Sequence, residues 1–97
     1  MKRRTEQPIG ALLETLFRSP NIARKIAEGS LPDTWRSVVG ERYASYTRQV
    51  RLVRGILYVH ISSSVAAREL MWQRQALVNS INKQSGFDLV KDVVIQG

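Results

Sequence analysis

Apolar and polar residues alternate on both sides of the dipeptide Arg54-Gly55, and no other feature constrains the fold as strongly. An alternation with a period of two is typical of a strand that buries one face, and Arg54-Gly55 supplies the turn between two such strands. The inward positions are Val50, Leu52, Leu57, Val59 and Ile61. The outward positions are Thr47, Gln49, Arg51, Val53, Ile56, Tyr58, His60 and Ser62. The sequence therefore predicts a β-hairpin that buries one face.

Helices are predicted before the hairpin. The positions Ile9, Leu12, Leu13, Leu16 and Phe17 have the spacing of an amphipathic helix. A second helix is expected to begin at Pro20 and to stop at Gly29. A third helix follows, with Ser30 and Asp33 as a variant capping box and Gly40 at its end. The run after Gly40 either extends this helix or connects it to the first strand.

The residues after the hairpin complete an α+β pattern. Serines 62–64 can cap a long helix that ends at Ser85-Gly86. Its apolar stripe consists of Ala66, Leu70, Leu77 and Ile81. The segment from Leu89 to Ile95 predicts a third strand, with Val93 and Ile95 pointing inward. We therefore predict an α+β fold with N-terminal helices, a β-hairpin, a long helix and a third strand in a small three-stranded sheet.

The predicted order of strands and helix resembles the KH-like folds, in which such sheets and helices bind single-stranded nucleic acid. The Gly-x-x-Gly loop of true KH domains is absent, since the glycines at 29, 40, 55 and 86 are each isolated. The resemblance is therefore to the architecture. Residues 1–7 are interpreted as a flexible basic arm and residues 8–97 as a single domain.

Composition narrows the cellular setting and the chemistry. The chain has no cysteine, no apolar run of membrane-spanning length and no apolar signal-peptide core near its N-terminus, so we expect a cytoplasmic protein without a membrane partner. His60 is the only histidine, the acids are scattered, and no Gly-rich phosphate loop precedes a Lys-Ser or Lys-Thr pair. These observations predict a non-enzyme that needs no metal or cofactor.

A net charge of +7, with 11 arginines among 15 basic residues, favours a polyanionic partner. The candidate phosphate contacts are Lys2, Arg3 and Arg4 of the arm, with Arg48, Arg51, Arg54, Arg68 and Arg74. Tyr58 and His60 can join Arg51 in a basic and aromatic platform, unless the outer sheet face is merely solvated or is covered by the N-terminal helices. Trp72 lies off the helical stripe and either packs under those helices or belongs to a partner surface. We expect Trp35 in the core.

Three pieces of sequence together resemble one bacterial family. They are Trp35-x-x-Val38-Val39-Gly40, the strand from Gly55 to Ser63, and Ala66-x-x-Glu69-Leu70. In this order and spacing they are similar to the DciA-like family, with the likeness running from about residue 9 to residue 95. The resemblance implies a role in bacterial DNA replication, where members associate with the replicative helicase and promote its loading onto DNA without hydrolysing ATP.

Two other functions fit the same residues. One is a KH-like RNA-binding or ribosome-associated module, which needs no helicase. The other is a protein-interaction adaptor whose positive charge serves an acidic partner. Because the family resemblance points to replication, we place DNA ahead of RNA as the expected nucleic acid.

Overall fold

The computed structural model describes residues 20–97, which form five helices and a three-stranded sheet. The helices are α1 (Pro20–Gly29), α2 (Leu31–Val39), α3 (Glu41–Tyr46), α4 (Ser64–Met71) and α5 (Arg74–Ser85). The strands are β1 (Thr47–Val53), β2 (Ile56–Ile61) and β3 (Asp92–Gln96). The basic arm with Lys2, Arg3 and Arg4, and the helix predicted over Ile9–Phe17, lie outside the described residues. The predicted α+β class is confirmed.

The sheet has the order β1-β2-β3, with β1 antiparallel to β2 and β3 parallel to β2. Because parallel neighbours need a crossover, α4 and α5 make the connection from β2 to β3. The hairpin turn places Arg54 at φ 50° and Gly55 at φ 84°. Two left-handed residues in succession match the twist of antiparallel strands, so the chain turns within two residues. A side chain at Gly55 would also stand 3.2 Å from Lys91 Cδ.

A β-bulge near the start of β1 changes which side chains share a face. Thr47 pairs with Ile61 and Gln49 pairs with His60, so Arg48 is an extra residue without a partner of its own. Before the bulge the alternation is reversed, and Thr47 lies on the inner side, where its hydroxyl accepts a hydrogen bond from Trp35 Nε1 at 2.9 Å. The prediction that Thr47 lies on the outer face is wrong, because one inserted residue moves every position before it to the other face.

The junction between α1 and α2 differs from the predicted capping box. Ser30 is the only residue between the two helices, and its hydroxyl donates to the carbonyl oxygen of Ile26 at 3.1 Å. It therefore completes the end of α1 and makes no side-chain cap on α2, so the capping box with Asp33 is wrong. Gly40, at φ 90°, closes α2 as predicted, and the following residues form the separate short helix α3 that connects to β1.

The predicted long helix is present in two parts. α4 is capped by Ser63, whose hydroxyl accepts from the Ala66 amide at 3.2 Å. It ends at Met71, after which Gln73 N–H donates to the carbonyl oxygen of Leu70 at 3.0 Å, a tighter turn than the α-helical one. The next helix, α5, then starts at Arg74. No glycine or proline marks this break, so the residue types around it carry no signal for it.

One face of the sheet is buried under α2, α4 and α5. The largest fully buried side chains are Trp35, Leu57, Val59, Ile61, Leu70, Ile81, Leu89 and Val93. Leu89 and Val90 lie in the segment before β3, so the third strand begins later than predicted. The side chain of Asn82 anchors this segment, because its amide donates to Val90 O at 2.8 Å and its oxygen accepts from Val90 N at 2.9 Å. The inward positions of the hairpin and of β3 are as predicted.

Candidate nucleic-acid interface

The outer face of the sheet carries an arginine–tyrosine pair. Register places Arg51 of β1 directly opposite Tyr58 of β2, and the guanidinium carbon lies 5.6 Å from the centre of the tyrosine ring. This geometry gives a cation–π contact that holds a flat cation against a flat ring. Arg51 is exposed and Tyr58 is half-buried. The predicted platform therefore has its two principal members side by side.

The residues around this pair are also accessible to solvent. Their positions alternate with the buried ones, and they are Gln49, Val53, Ile56, His60, Asp92, Val94 and Gln96. Every one of them is exposed or half-exposed, so none of the helices described over residues 20–97 buries this face. His60 lies beside Tyr58 in the pairing register of β2, opposite Gln49. Among residues 20–97, nothing therefore blocks the approach of a ligand to the sheet from this side.

Arg48, the extra residue of the bulge, is not part of the Arg51–Tyr58 contact. It lines a slot of about 200 Å³ together with Arg36, Pro32 and Trp35 of α2. Arg36 was not among the predicted contacts, because its position beside Arg48 depends on how α2 packs against β1. The slot places two exposed guanidinium groups at one edge of the sheet.

Arg54 lies at the opposite end of β1, in a cleft of about 550 Å³ that Arg24 and Lys91 also line. Arg24 Nε lies 3.8 Å from Glu28 Oε2, and Asp88 also lines the cleft. The two acids offset part of the positive charge, which makes this cleft a weaker phosphate site than three basic residues alone would provide. Sequence reasoning missed Arg24 and Lys91, which only the folded chain brings to the turn.

Two further predicted contacts lie on the crossover helices. Arg74 Nε is 3.0 Å from Asp92 Oδ1, in an ion pair whose side chains stay 58% and 41% exposed. Arg68 is exposed on α4, close in sequence to Trp72, whose side chain is 82% exposed. The predicted contact residues that lie within 20–97 thus occupy several surfaces, and of these only Arg51 and Tyr58 contact each other. A role for each of them in binding nucleic acid stays a prediction.

A second arginine–tyrosine contact ties α3 to α4. The phenol of Tyr43 donates to Glu69 Oε1 at 2.7 Å, and the Arg42 guanidinium lies 5.8 Å from the Tyr43 ring centre. The hydrogen bond to Glu69 is the main cause that raises the pKa of Tyr43, while Arg42 opposes the rise. Glu69 is therefore held by this contact, which fixes the position of α4 against the helix that leads into β1.

We expect Glu69→Ala to lower the pKa of Tyr43 toward the ordinary tyrosine value, because the substitution removes the hydrogen bond that favours the neutral phenol. Because folding raises this pKa, the hydrogen bond contributes its full stabilisation at pH values below the unfolded-state pKa, about 10. This contribution disappears as pH rises through the folded-state pKa. Absorbance titration of tyrosinate measures the shift, with Tyr43→Phe identifying the Tyr43 signal. An unchanged titration curve in Glu69→Ala would contradict the assignment.

The described part of the chain presents its charge to solvent. It contains eleven basic and six acidic residues, and all eleven basic side chains are exposed. Over the same residues no group of three or more histidine, cysteine, aspartate and glutamate side chains could hold a metal ion. None of the helices from α1 to α5 is long and apolar enough to cross a membrane.

Residues 8–95 match the family described as "Dna[CI] antecedent, DciA". The chain belongs to the DciA family. The UPF0232 protein in the recF-gyrB intergenic region of Mycolicibacterium smegmatis is 31% identical over 94 residues, which are 97% of this chain and 48% of that protein. UPF0232 proteins of Rhodococcus jostii strain RHA1 and of Mycobacterium tuberculosis strain H37Rv are 31% and 30% identical over 94 residues, again 97% of this chain and 50% of each relative.

The chain spans about half the length of the curated DciA-family relatives that it matches. No solved structure matches the chain. Membership in the DciA family confirms the resemblance inferred from the three sequence pieces, whereas the likeness to KH-like folds stays a prediction.

Proposed function

We propose that this chain is a non-enzymatic nucleic-acid-binding protein that assists the loading of the replicative helicase onto DNA in bacterial replication. Membership in the DciA family supports the link to the helicase. The observation that carries the nucleic-acid part is the contact between Arg51 and Tyr58 on the open face of the sheet. A non-catalytic role agrees with the exposed arginines and lysines of residues 20–97, because the chemistry they offer is binding.

The platform suits a single strand better than a duplex. A guanidinium binds phosphate oxygens through parallel hydrogen bonds. The planar guanidinium group and the phenol ring both offer flat surfaces on which an unpaired base can stack. Bases in a duplex are already stacked on one another and present only their edges in the grooves. Arg51 and Tyr58 lie on the outer sheet face, and none of the helices described over residues 20–97 protrudes there to enter a groove. Single-stranded DNA is therefore the ligand that we propose.

Fluorescence anisotropy tests this function directly. Labelled single-stranded DNA, duplex DNA and single-stranded RNA of equal length are titrated with the protein from about 50 to about 300 mM salt. We expect the logarithm of the affinity for single-stranded DNA to fall linearly with the logarithm of salt concentration, because each phosphate contact releases counterions. RNA binding tighter than DNA binding would favour the RNA-module alternative, and no binding at low salt would contradict the nucleic-acid role.

Deleting residues 2–4 provides a separate prediction for the basic arm. If Lys2, Arg3 and Arg4 contact phosphates, their removal should flatten the salt dependence on single strands by about 0.7 in slope for each phosphate that is no longer neutralised. The decrease in affinity should be the same for oligonucleotides of different sequence, because phosphate contacts carry no base information. An equal slope in the deleted and complete chains would rule the arm out as a phosphate-binding segment.

A further inference from the structure

Helix α4 exposes an apolar face that no described element covers. Val65 is 66% exposed, Met71 is 51% exposed and Trp72 is 82% exposed. With Arg68 they occupy positions i, i+3, i+6 and i+7, which lie on one side of a helix. We call these four residues the α4 face. It contains three of the six large hydrophobic side chains that are exposed in residues 20–97.

The α4 face is held on a rigid support. Ala66, Ala67 and Leu70 bury the other side of the helix in the core, and Ser63 caps its first turn. Trp72 keeps helical backbone angles, and its N–H donates to Arg68 O at 3.2 Å. A large aromatic side chain on a fixed backbone loses little conformational freedom when it meets a partner, and tryptophan is enriched among the residues that dominate binding energies at interfaces.

The charges on this face identify the kind of partner. Arg68 lies between the apolar side chains, and the neighbouring acid, Glu69, is half-buried and accepts a hydrogen bond from Tyr43. A surface of this composition is complementary to a partner segment with apolar side chains around a carboxylate. We infer that the α4 face is the docking site for an acidic, amphipathic helix of a protein partner. This inference rests on the proposed function, in which that partner is the replicative helicase.

A second copy of this chain fits the α4 face poorly. A two-fold symmetric contact would place the face against itself and bring Arg68 close to the Arg68 of the other copy, with no acid on the face to compensate. Nucleic acid also fits poorly, because Val65 and Met71 are aliphatic and cannot stack on bases. A helix with a carboxylate opposite Arg68 satisfies both the charge and the apolar surface.

The α4 face and the Arg51–Tyr58 platform lie on opposite sides of the molecule. Helix α4 packs through its alanines and Leu70 on the inner face of the sheet, whereas the platform is on the outer face. The helix face that is not buried therefore points away from the sheet. A partner protein and a nucleic-acid strand can occupy the two surfaces together without competing for the same residues.

The test compares variants of the complete chain for two kinds of binding. Purified replicative helicase from the same bacterium is titrated by biolayer interferometry, and single-stranded DNA by anisotropy. We expect Trp72→Ala and Arg68→Glu each to weaken helicase binding by about fivefold or more, as for a central interface residue. Trp72→Ala removes no charge and should leave the affinity for single-stranded DNA unchanged within about twofold. The matched controls are Ile26→Ala, at an exposed apolar position of α1, and Lys83→Glu, at an exposed basic position of α5. Both should bind the helicase as the wild-type chain does.

The outcomes separate the inference from the proposed function. If the wild-type chain binds the helicase and Trp72→Ala binds it equally well, the inference alone is overturned. Absence of helicase binding by the wild-type chain would overturn the helicase role, and the inference with it. Loss of DNA affinity in both α4-face variants would assign the face to nucleic acid, and a dimer that dissociates in Trp72→Ala, measured by light scattering, would assign it to a second copy. Either result would overturn the docking site.

Discussion

Replacing Trp35 by alanine is expected to lower the free energy of unfolding by about 3–5 kcal/mol, the range for removing a buried tryptophan or phenylalanine. The side chain is 1% exposed at the centre of the core. Its indole N–H donates to Thr47 Oγ1 at 2.9 Å, and that hydroxyl in turn donates to Tyr43 O at 3.0 Å. The substitution therefore leaves a cavity and breaks a chain of hydrogen bonds that joins α2 to the start of β1.

The consequence is large for a domain of this size. Small domains have total stabilities of about 5–15 kcal/mol, so Trp35→Ala removes a substantial part of the total. Urea unfolding followed by far-ultraviolet circular dichroism measures the decrease without relying on tryptophan fluorescence. Trp72→Ala is the matched control, because its side chain is 82% exposed and its removal should change stability by less than about 0.5 kcal/mol. Equal effects of the two substitutions would contradict the placement of Trp35.

Local patterns were sufficient for most of the fold. Alternation around Arg54-Gly55 predicted the hairpin, and the left-handed angles of both turn residues explain why this dipeptide turns the chain. The glycines at 29, 40 and 86 each coincide with the end of a helix. Such signals are readable because they depend on the conformational preferences of single residues and on periodic burial.

The departures from prediction come from interactions between distant segments. The bulge at Arg48 follows from how β1 pairs with β2, and the alternation of side chains contains no trace of it. The break after Met71 divides the predicted stripe, so that Leu70 is buried from α4 and Leu77 from α5, although no residue type there disfavours a helix. Pattern analysis treats each segment alone, whereas these two features are set by packing.

The candidate site likewise contains contacts that local patterns predict and contacts that only the packing of distant segments sets. The pair formed by Arg51 and Tyr58 could be predicted, because both belong to one hairpin and its register follows from the turn. The positions of Arg36 beside Arg48 and of Lys91 beside Arg54 could not be predicted. They depend on α2 and on the segment before β3, which reach the sheet only in the folded chain. The spacing of arginines along β1 therefore indicates candidate contact residues, but it does not show which surface they share.

Reversing the charges of Arg51 and Arg54 together is expected to weaken binding of single-stranded DNA by more than about tenfold at low salt, because repulsion replaces the attraction to phosphates. Arg51 should carry most of the effect, since it lies on the open face over Tyr58, whereas Arg54 lies near Glu28 and Asp88 in the turn cleft. The single variants Arg51→Glu and Arg54→Glu separate these contributions. Both side chains are exposed, so the fold should be preserved.

A matched control distinguishes a binding surface from net charge. Lys25→Glu with Lys83→Glu makes the same change in charge at exposed positions of α1 and α5, outside the sheet. If only the total charge of the protein mattered, this double variant would lose as much affinity as the hairpin variant, because long-range attraction depends on the whole distribution of charge. Anisotropy at low salt, with circular dichroism to verify folding, gives the comparison. A selective decrease in the hairpin variant would place the DNA on the hairpin, and equal decreases would remove the hairpin as the binding surface.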